Sequence, residues 1–386
     1  MNVTAANPLF RRWLEMVGIK SVVGREIDMA DYVAAELRKM GLEANYSYFD
    51  EDAERVRPSV WTVLDSGRPG PAMLLIGHID TVDVTPENWA TPPFEATVKD
   101  GRVYGRGAMD MKGGLAAILD VLEHFSEHRD AFCGRILACF VSDEEGLSKG
   151  TYQLAAEDVV HADYAIMAEC RYSSVAVGFR GRYSFEVTVH GKSAHASRYP
   201  KVGENALISG GRLAAAIEAL PTLSHPKLTG GTWCVRHMEG GCAGTLVVPD
   251  RCDIFVDRYV VPGETAQDCI EQIRGAAAEL GLADKVDVRL KPRKSPYMQS
   301  FALEEDHRLV TTLQKHYKAV DGRDLPCSYD PSVCDSNIVA VTLGIPVVTF
   351  GPSGGNMHGD NEWGSPEQVI NCAEIYKRTV AELLKP

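Results

Sequence analysis

The feature that most constrains how this chain folds is a change of hydrophobic period partway along it. From LLIGH at 74–78 onward, short and nearly unbroken apolar runs alternate with helical segments. The runs are LLIGH, GRILACFVSD and ADYAIMAE, and between them lie GGLAAILDVLEHF and GTYQLAAEDVV. Strands apolar on both faces and separated by helices belong to a largely parallel sheet covered on each side. The same signature returns in SNIVAVTLGIPVVTFGP, a helix and then a strand, and in the closing helix PEQVINCAEIYKRTVAELL. Residues 10–43 also carry helical periodicity, and RPSVWTVLDSGRPGPAMLLIGHID reads as two strands around a Gly/Pro turn.

Between these blocks the period drops to two. In GRYSFEVTVHGKS, Phe185, Val187 and Val189 share one face, as in a half-exposed antiparallel strand. A helix around 203–220, the strands GGTWCVRHMEGG and CDIFVDRYVV, a helix around 264–281 and the strand KVDVRLKPR complete the order β-α-β-β-α-β, the ferredoxin-like pattern. The expected architecture is therefore an α/β domain with a mostly parallel mixed sheet, built from 1–177 and 294–386, interrupted by an inserted α+β ferredoxin-like domain at 178–293. A chain of 386 residues exceeds the ~250–300 that one hydrophobic core usually serves, which agrees with two domains.

Charge and composition exclude several roles. With 40 basic against 53 acidic residues the net charge is −13, and there is no clustered basic run of the kind that neutralises phosphates, so nucleic acid is not an expected partner. No stretch approaches ~18 consecutive apolar residues, and MNVTAANPLFRRWLEMVGIK lacks the apolar core of a secretory signal. A cytoplasmic protein without membrane association is expected. Ten cysteines, none in a C-x-x-C pair, read as reduced and mostly buried; Cys170 and Cys334 stand out because they adjoin acidic residues.

Ligands of open α/β sheets bind beyond the carboxyl ends of the strands. Here those ends are chemically unusual: LLIG ends in His78 with Asp80 two residues on, RVYGRGAM in Asp110, ILACFVSD in Glu144 and Glu145, YAIMA in Glu169, and VVTFGPSGGNM in His358. One His or Glu after a strand is ordinarily a solvated surface group. Five runs ending this way bring carboxylates together that repel one another unless a cation neutralises them. Mixed imidazole and carboxylate donors suit zinc, manganese or cobalt better than calcium.

The segments GHID at 77–80, GRGAMDMKGG at 105–114, SDEEG at 142–146, MAEC at 167–170, GKSAHAS at 191–197 and NMHGDNEW at 356–363 resemble the M20 metallopeptidases and amidohydrolases. That group includes acetylornithine deacetylase, succinyl-diaminopimelate desuccinylase, glutamate carboxypeptidases and aminoacylases, and the resemblance spans essentially the whole chain. It implies a zinc-aminopeptidase-like catalytic domain carrying a lid that also forms a homodimer. It implies two divalent metal ions, zinc foremost with cobalt or manganese as alternatives. Asp110 would bridge them, with His78 and Glu169 completing one and Glu145 and His358 the other. Asp80 would accept the remaining ring N–H of His78, and Glu144 would be the general base. The peptide bond after Asp110 would be cis, as is common in similar enzymes.

The resemblance further implies that His195 stabilises the oxyanion in a neighbouring subunit's site. Arg258 would grip a substrate carboxylate, its alternative being a salt bridge to Asp257 or Asp253. The turn with Gly354, Gly355 and Asn356 would bring backbone N–H groups to an anionic group. Departures exist: Leu246 stands where the family often has Asn, Cys170 where Pro is usual, and Asn361–Glu362 replaces the commoner Asp–Glu. The implied activity is cleavage of a small N-acyl amino acid or dipeptide bearing a free carboxylate. Two alternatives remain: hydrolysis of a different C–N bond, and a non-catalytic binding protein on the same fold.

Overall fold

The computed structural model describes residues 6–49, 57–241 and 243–385, which form two compact units. The first comprises the residues up to Gly178, Leu303–Tyr329 and those from Cys334 onward; the second comprises Phe179–Ala302 and Asp330–Val333.

In the first unit the central sheet runs Asn45–Tyr48, Pro58–Asp65, Arg135–Val141, Ala72–His78, Tyr164–Met167, Val347–Thr349 and Val175–Phe179. Its middle four strands are parallel, and the flanking pairs are antiparallel. The Gly/Pro segment at 66–71 does not join neighbouring strands: Arg135–Val141 lies between Pro58–Asp65 and Ala72–His78. Local turn chemistry marks where a strand stops, whereas pairing order is set by long-range burial.

Ala72–His78 is buried at every residue, as a central strand covered on both faces must be. Helices Pro8–Val17 and Lys112–Glu127 supply part of that cover. The former starts on Asn7, whose side chain accepts the Leu9 N–H, with Pro8 at the first helical position. Trp13 from its buried face donates to the carbonyl of Ala108 at 3.0 Å, fixing the helix to the loop before Asp110. Lys112–Glu127 approaches the sheet very closely at its first turn, where a Cβ on Gly114 would stand 2.1 Å from the Ala168 carbonyl oxygen.

The second unit has the strand order Thr232–Gly240, Arg251–Val260, Gly181–His190 and Val286–Leu290, all antiparallel. Helices Ala206–Glu218 and Ala266–Glu279 pack on its apolar residues, which include Phe185, Val187, Val189, Ile254 and Val256. This is the ferredoxin-like pattern in connectivity and in strand order. The unit continues past the expected boundary at 293, because Met298 accepts the Arg182 N–H and Tyr297 donates to Lys291 O at 2.8 Å.

Among the described residues nine cysteines are unbridged, and Cys242 lies outside them. Also among the described residues, no helix is long and apolar enough to cross a membrane.

Candidate metal centre

Parallel strands end at one edge of a sheet, and four of the chemistry-bearing ends come from the four parallel strands or the turns that follow them. His78 closes Ala72–His78, Glu144 and Glu145 follow Arg135–Val141, Glu169 follows Tyr164–Met167, and His358 follows Val347–Thr349 by nine residues. Asp110 enters on the loop before helix Lys112–Glu127, and the Asp110–Met111 bond is cis.

The side chains converge into two groups that share Asp110: His78–Asp110–Glu169 and Asp110–Glu145–His358. His78 Nε2 lies 3.1 Å from Asp110 Oδ1 and 3.2 Å from Glu169 Oε1. His358 Nε2 lies 3.1 Å from Asp110 Oδ2 and 2.8 Å from Glu145 Oε1. Asp110 thus presents one oxygen to each group. Glu144 belongs to neither.

The electrostatics are those of a site built around positive charge. Burial pushes the Glu144 carboxyl well above the usual range, and Glu169, Asp335 and Glu145 add to the push. Glu169 is raised for the same reasons, burial first and then the Asp110 charge. Burial would also raise Asp110, but the rings of His358 and His78 hold it below the usual range. Hydrogen bonds to Asp110 and Glu145 carry His358 up to about 10. Imidazoles drawn toward protonation and carboxylates drawn toward neutrality both revert to metal-binding forms when a cation supplies the missing charge. The donor set, nitrogen and oxygen with one carboxylate facing both ways, fits two divalent ions.

Adjacent glutamates reach different places because the turn between them and the strand is not extended. Asp143 has φ +72°, and its Oδ2 accepts the N–H groups of Leu147 and Lys149, each at 3.2 Å. Its Oδ1 meets Arg57 at 2.7 Å, and Arg57 is also paired with buried Glu26. Sequence reading missed this support; Asp143 beside the glutamates was the available signal, while Arg57 offered none.

Asp80 supports the turn in a way that corrects its expected role. The His78 Nδ1 lies 3.0 Å from the Asp80 backbone carbonyl and 3.7 Å from its carboxylate. The carboxylate instead accepts the N–H groups of Glu144 at 3.2 Å and Glu145 at 3.0 Å. It is completely buried, and two N–H donors within reach favour its turning that way.

Arg258 also departs from expectation. It is fully buried, its guanidinium pairs with Glu264, donates to Tyr259 O at 2.8 Å and lies 4.8 Å over the Trp233 ring. Neither Asp257 nor Asp253 takes it: Asp257 pairs with Arg182 and Arg236, and Asp253 with Arg251. Gly354 and Gly355 form a short strand against Trp363–Gly364, where a Cβ on Gly354 would stand 1.8 Å from the Trp363 oxygen. Their lack of side chains serves that approach. Asn356, at φ +60°, donates to Asp360 O and Asn361 O.

His195 is exposed in the second unit on a loop pinned to 246–248 by backbone bonds. Its Nδ1 accepts the Ser197 N–H at 3.3 Å, an arrangement that places the ring proton of a neutral imidazole on Nε2. Leu246 is 71% exposed. Burial raises the thiols of Cys170 and Cys334 well above their ordinary value, so neither is a ready thiolate.

The model of peptidase family M20/M25/M40 matches residues 74–382. Succinyl-diaminopimelate desuccinylase of Marinobacter nauticus is 27% identical over 386 residues, covering 96% of this chain and 97% of that protein. The protein of the same description from Delftia acidovorans is 26% identical, covering 96% of each. Among solved structures, aminopeptidase PepT from Bacillus cereus superposes with a TM-score of 0.81 at 19% identity, over 98% of both chains. The Bacillus subtilis YXEP protein, described as a dinuclear metal binding peptidase from the M20 family, gives 0.73 at 14% identity, again over 98% of both.

Proposed function

The chain belongs to peptidase family M20/M25/M40 and is a metal-dependent amidohydrolase; from that premise we propose that it hydrolyses the amide bond of a small N-acyl amino acid or dipeptide, with Glu144 as general base. The observation that carries this reading is one carboxylate shared by two donor groups, with a half-buried glutamate beside them that belongs to neither.

His78, Asp110 and Glu169 would hold one divalent ion, and Asp110, Glu145 and His358 the other; zinc suits these donors best, with cobalt or manganese as alternatives. When bound, the ions supply Lewis acidity toward the scissile carbonyl and toward water. The protein's own contribution is then the proton path. Glu144 takes the proton of the attacking water and delivers it to the leaving amine, a role suited to a carboxyl whose burial and acidic neighbours raise its proton affinity above the ordinary. His195, with its proton on Nε2, is the proposed donor to the developing oxyanion, from a partner subunit in a homodimer formed through the inserted unit. Arg258 is committed within its own unit and leaves the substrate-binding set, so the free carboxylate is held by another group. The desuccinylase relatives place N-succinyl amino acids first among substrates to try.

The test is hydrolysis of N-succinyl, N-acetyl and N-carbamoyl amino acids and dipeptides by metal-loaded and chelated protein, beside Glu144→Gln. The expected result is metal-dependent release of amine, with kcat in the variant lower by about 10²–10⁴-fold and metal content unchanged. Wild-type kcat in Glu144→Gln would remove the proposed base. A silent panel from metal-loaded protein would shift the reading to another C–N bond.

A further inference from the structure

The loop that delivers Asp110 is gripped by a buried ion pair that plays no part in the chemistry above. Glu362 is fully buried and Arg106 is 2% exposed. Arg106 Nη1 meets Glu362 Oε2 at 2.6 Å, and the same oxygen accepts the Gly107 N–H at 3.2 Å. The other oxygen accepts the N–H groups of Met109 at 2.8 Å and Asp110 at 3.0 Å. Arg106 then reaches with Nη2 to the carbonyl oxygen of His358 at 3.3 Å, and its guanidinium lies 5.3 Å over the Trp89 ring.

Placing an ion pair here is not an economical way to hold a core together. Desolvating two charges offsets most of their attraction, and apolar side chains of similar volume commonly stabilise as well or better. What the pair provides is direction. One carboxylate satisfies three N–H groups of a single loop, which fixes the backbone at Asp110 while leaving both oxygens of the Asp110 side chain free to face His78 and His358. Its partner ties the backbone of His358 to the same point.

We infer that Glu362 and Arg106 are positioning residues that keep the Asp110–Glu145–His358 group assembled. The inference rests on the two-metal reading above. The dependence is unequal between the two groups. His78 is 1% exposed and carries its own anchor, Nδ1 against the Asp80 carbonyl. His358 is 47% exposed, sits at the left-handed φ of +59°, and has the Arg106 bond to its carbonyl. Loss of the pair therefore loosens the second group first.

The test titrates Zn²⁺ into metal-free protein by calorimetry for the wild type, Glu362→Gln and Arg106→Lys, with circular dichroism to certify folding. Glu362→Gln is isosteric but sets an amide N–H₂ against the guanidinium; Arg106→Lys keeps the charge and loses the reach to His358. The wild type takes up two equivalents. Each variant is expected to take one at wild-type affinity and to bind the second at least about tenfold more weakly. Two equivalents bound as in the wild type by either folded variant overturns the inference, as does an equal loss of both, which is what general loosening gives. A wild type that takes up no zinc overturns instead the reading on which the inference rests.

Discussion

At Glu144 and Glu145, two like side chains adjacent in sequence receive different surroundings from the backbone turn beneath them. The turn is held from below by the Asp80 carboxylate, which accepts both of their N–H groups. Asp80→Asn replaces one acceptor oxygen by a donor and leaves one of those N–H groups unpaired in a buried place. The expected outcome is a 10- to 100-fold loss in zinc affinity or in kcat, with the fold retained. Zinc titration and steady-state kinetics at wild-type levels would show that the turn holds without it. The five residues that the structure brings into the two groups, with Glu144 beside them, stand out in the sequence because each ends or follows an apolar run. The oxygen of Asp80 that meets His78 was not legible, since carbonyl and carboxylate of one residue compete at distances only coordinates resolve. Arg258 misled for a related reason: a guanidinium suits a substrate carboxylate and an internal Glu264 equally well, and pattern alone does not say which is nearer.

Among the elements, helix Lys112–Glu127 shows how closely the site constrains its scaffold. Alanine at position 114 would gain about 1 kcal/mol of helix propensity. It would also drive a methyl group to 2.1 Å from the Ala168 oxygen, immediately before Glu169. Overpacking against backbone costs about 1–3 kcal/mol or more, so the clash prevails. Gly114→Ala should lower the urea midpoint and weaken zinc binding together; a variant more stable than wild type would refute the close approach. Helices and strands were readable from period, because burial on one or two faces writes itself into the spacing of apolar residues. The strand order was not: Arg135–Val141 lies between two strands that sequence proximity would pair, and only long-range burial decides it. The end of the inserted unit was missed by similar logic, since residues 294–302 join it through loop hydrogen bonds without periodicity.

On the scale of the whole molecule, stability in acid depends on the carboxylates that folding holds below their unfolded pKa. Glu36, 1% exposed in the first unit, meets Arg11 at 2.7 Å, Arg12 at 2.8 Å and Lys39 at 2.5 Å. Burial alone would raise its carboxyl, but the three cations outweigh burial and bring it to about 2. The folded value lies below the unfolded one of ~4.3. Stability from this group is therefore complete above pH ~4.3 and is lost as pH falls toward 2. Allowing for screening at the exposed Lys39 and the partly exposed Arg11, the contribution is about 2 kcal/mol. Urea unfolding between pH 3 and 7 should show a shallower acid decline for Glu36→Gln than for wild type, and parallel curves would assign the decline elsewhere.

The five residues of the two candidate metal-binding groups are distributed unevenly along the polypeptide. His78, Asp110, Glu145 and Glu169 all precede the second unit and His358 follows it, so that the long stretch Phe179–Ala302 of that unit separates the last histidine from the rest. A chain growing at ~5–20 residues per second has the first trio synthesised roughly 10–40 s before the last histidine. The insertion therefore divides the proposed centre in synthesis: one of its two donor groups is complete in the chain before the histidine that completes the other has been translated.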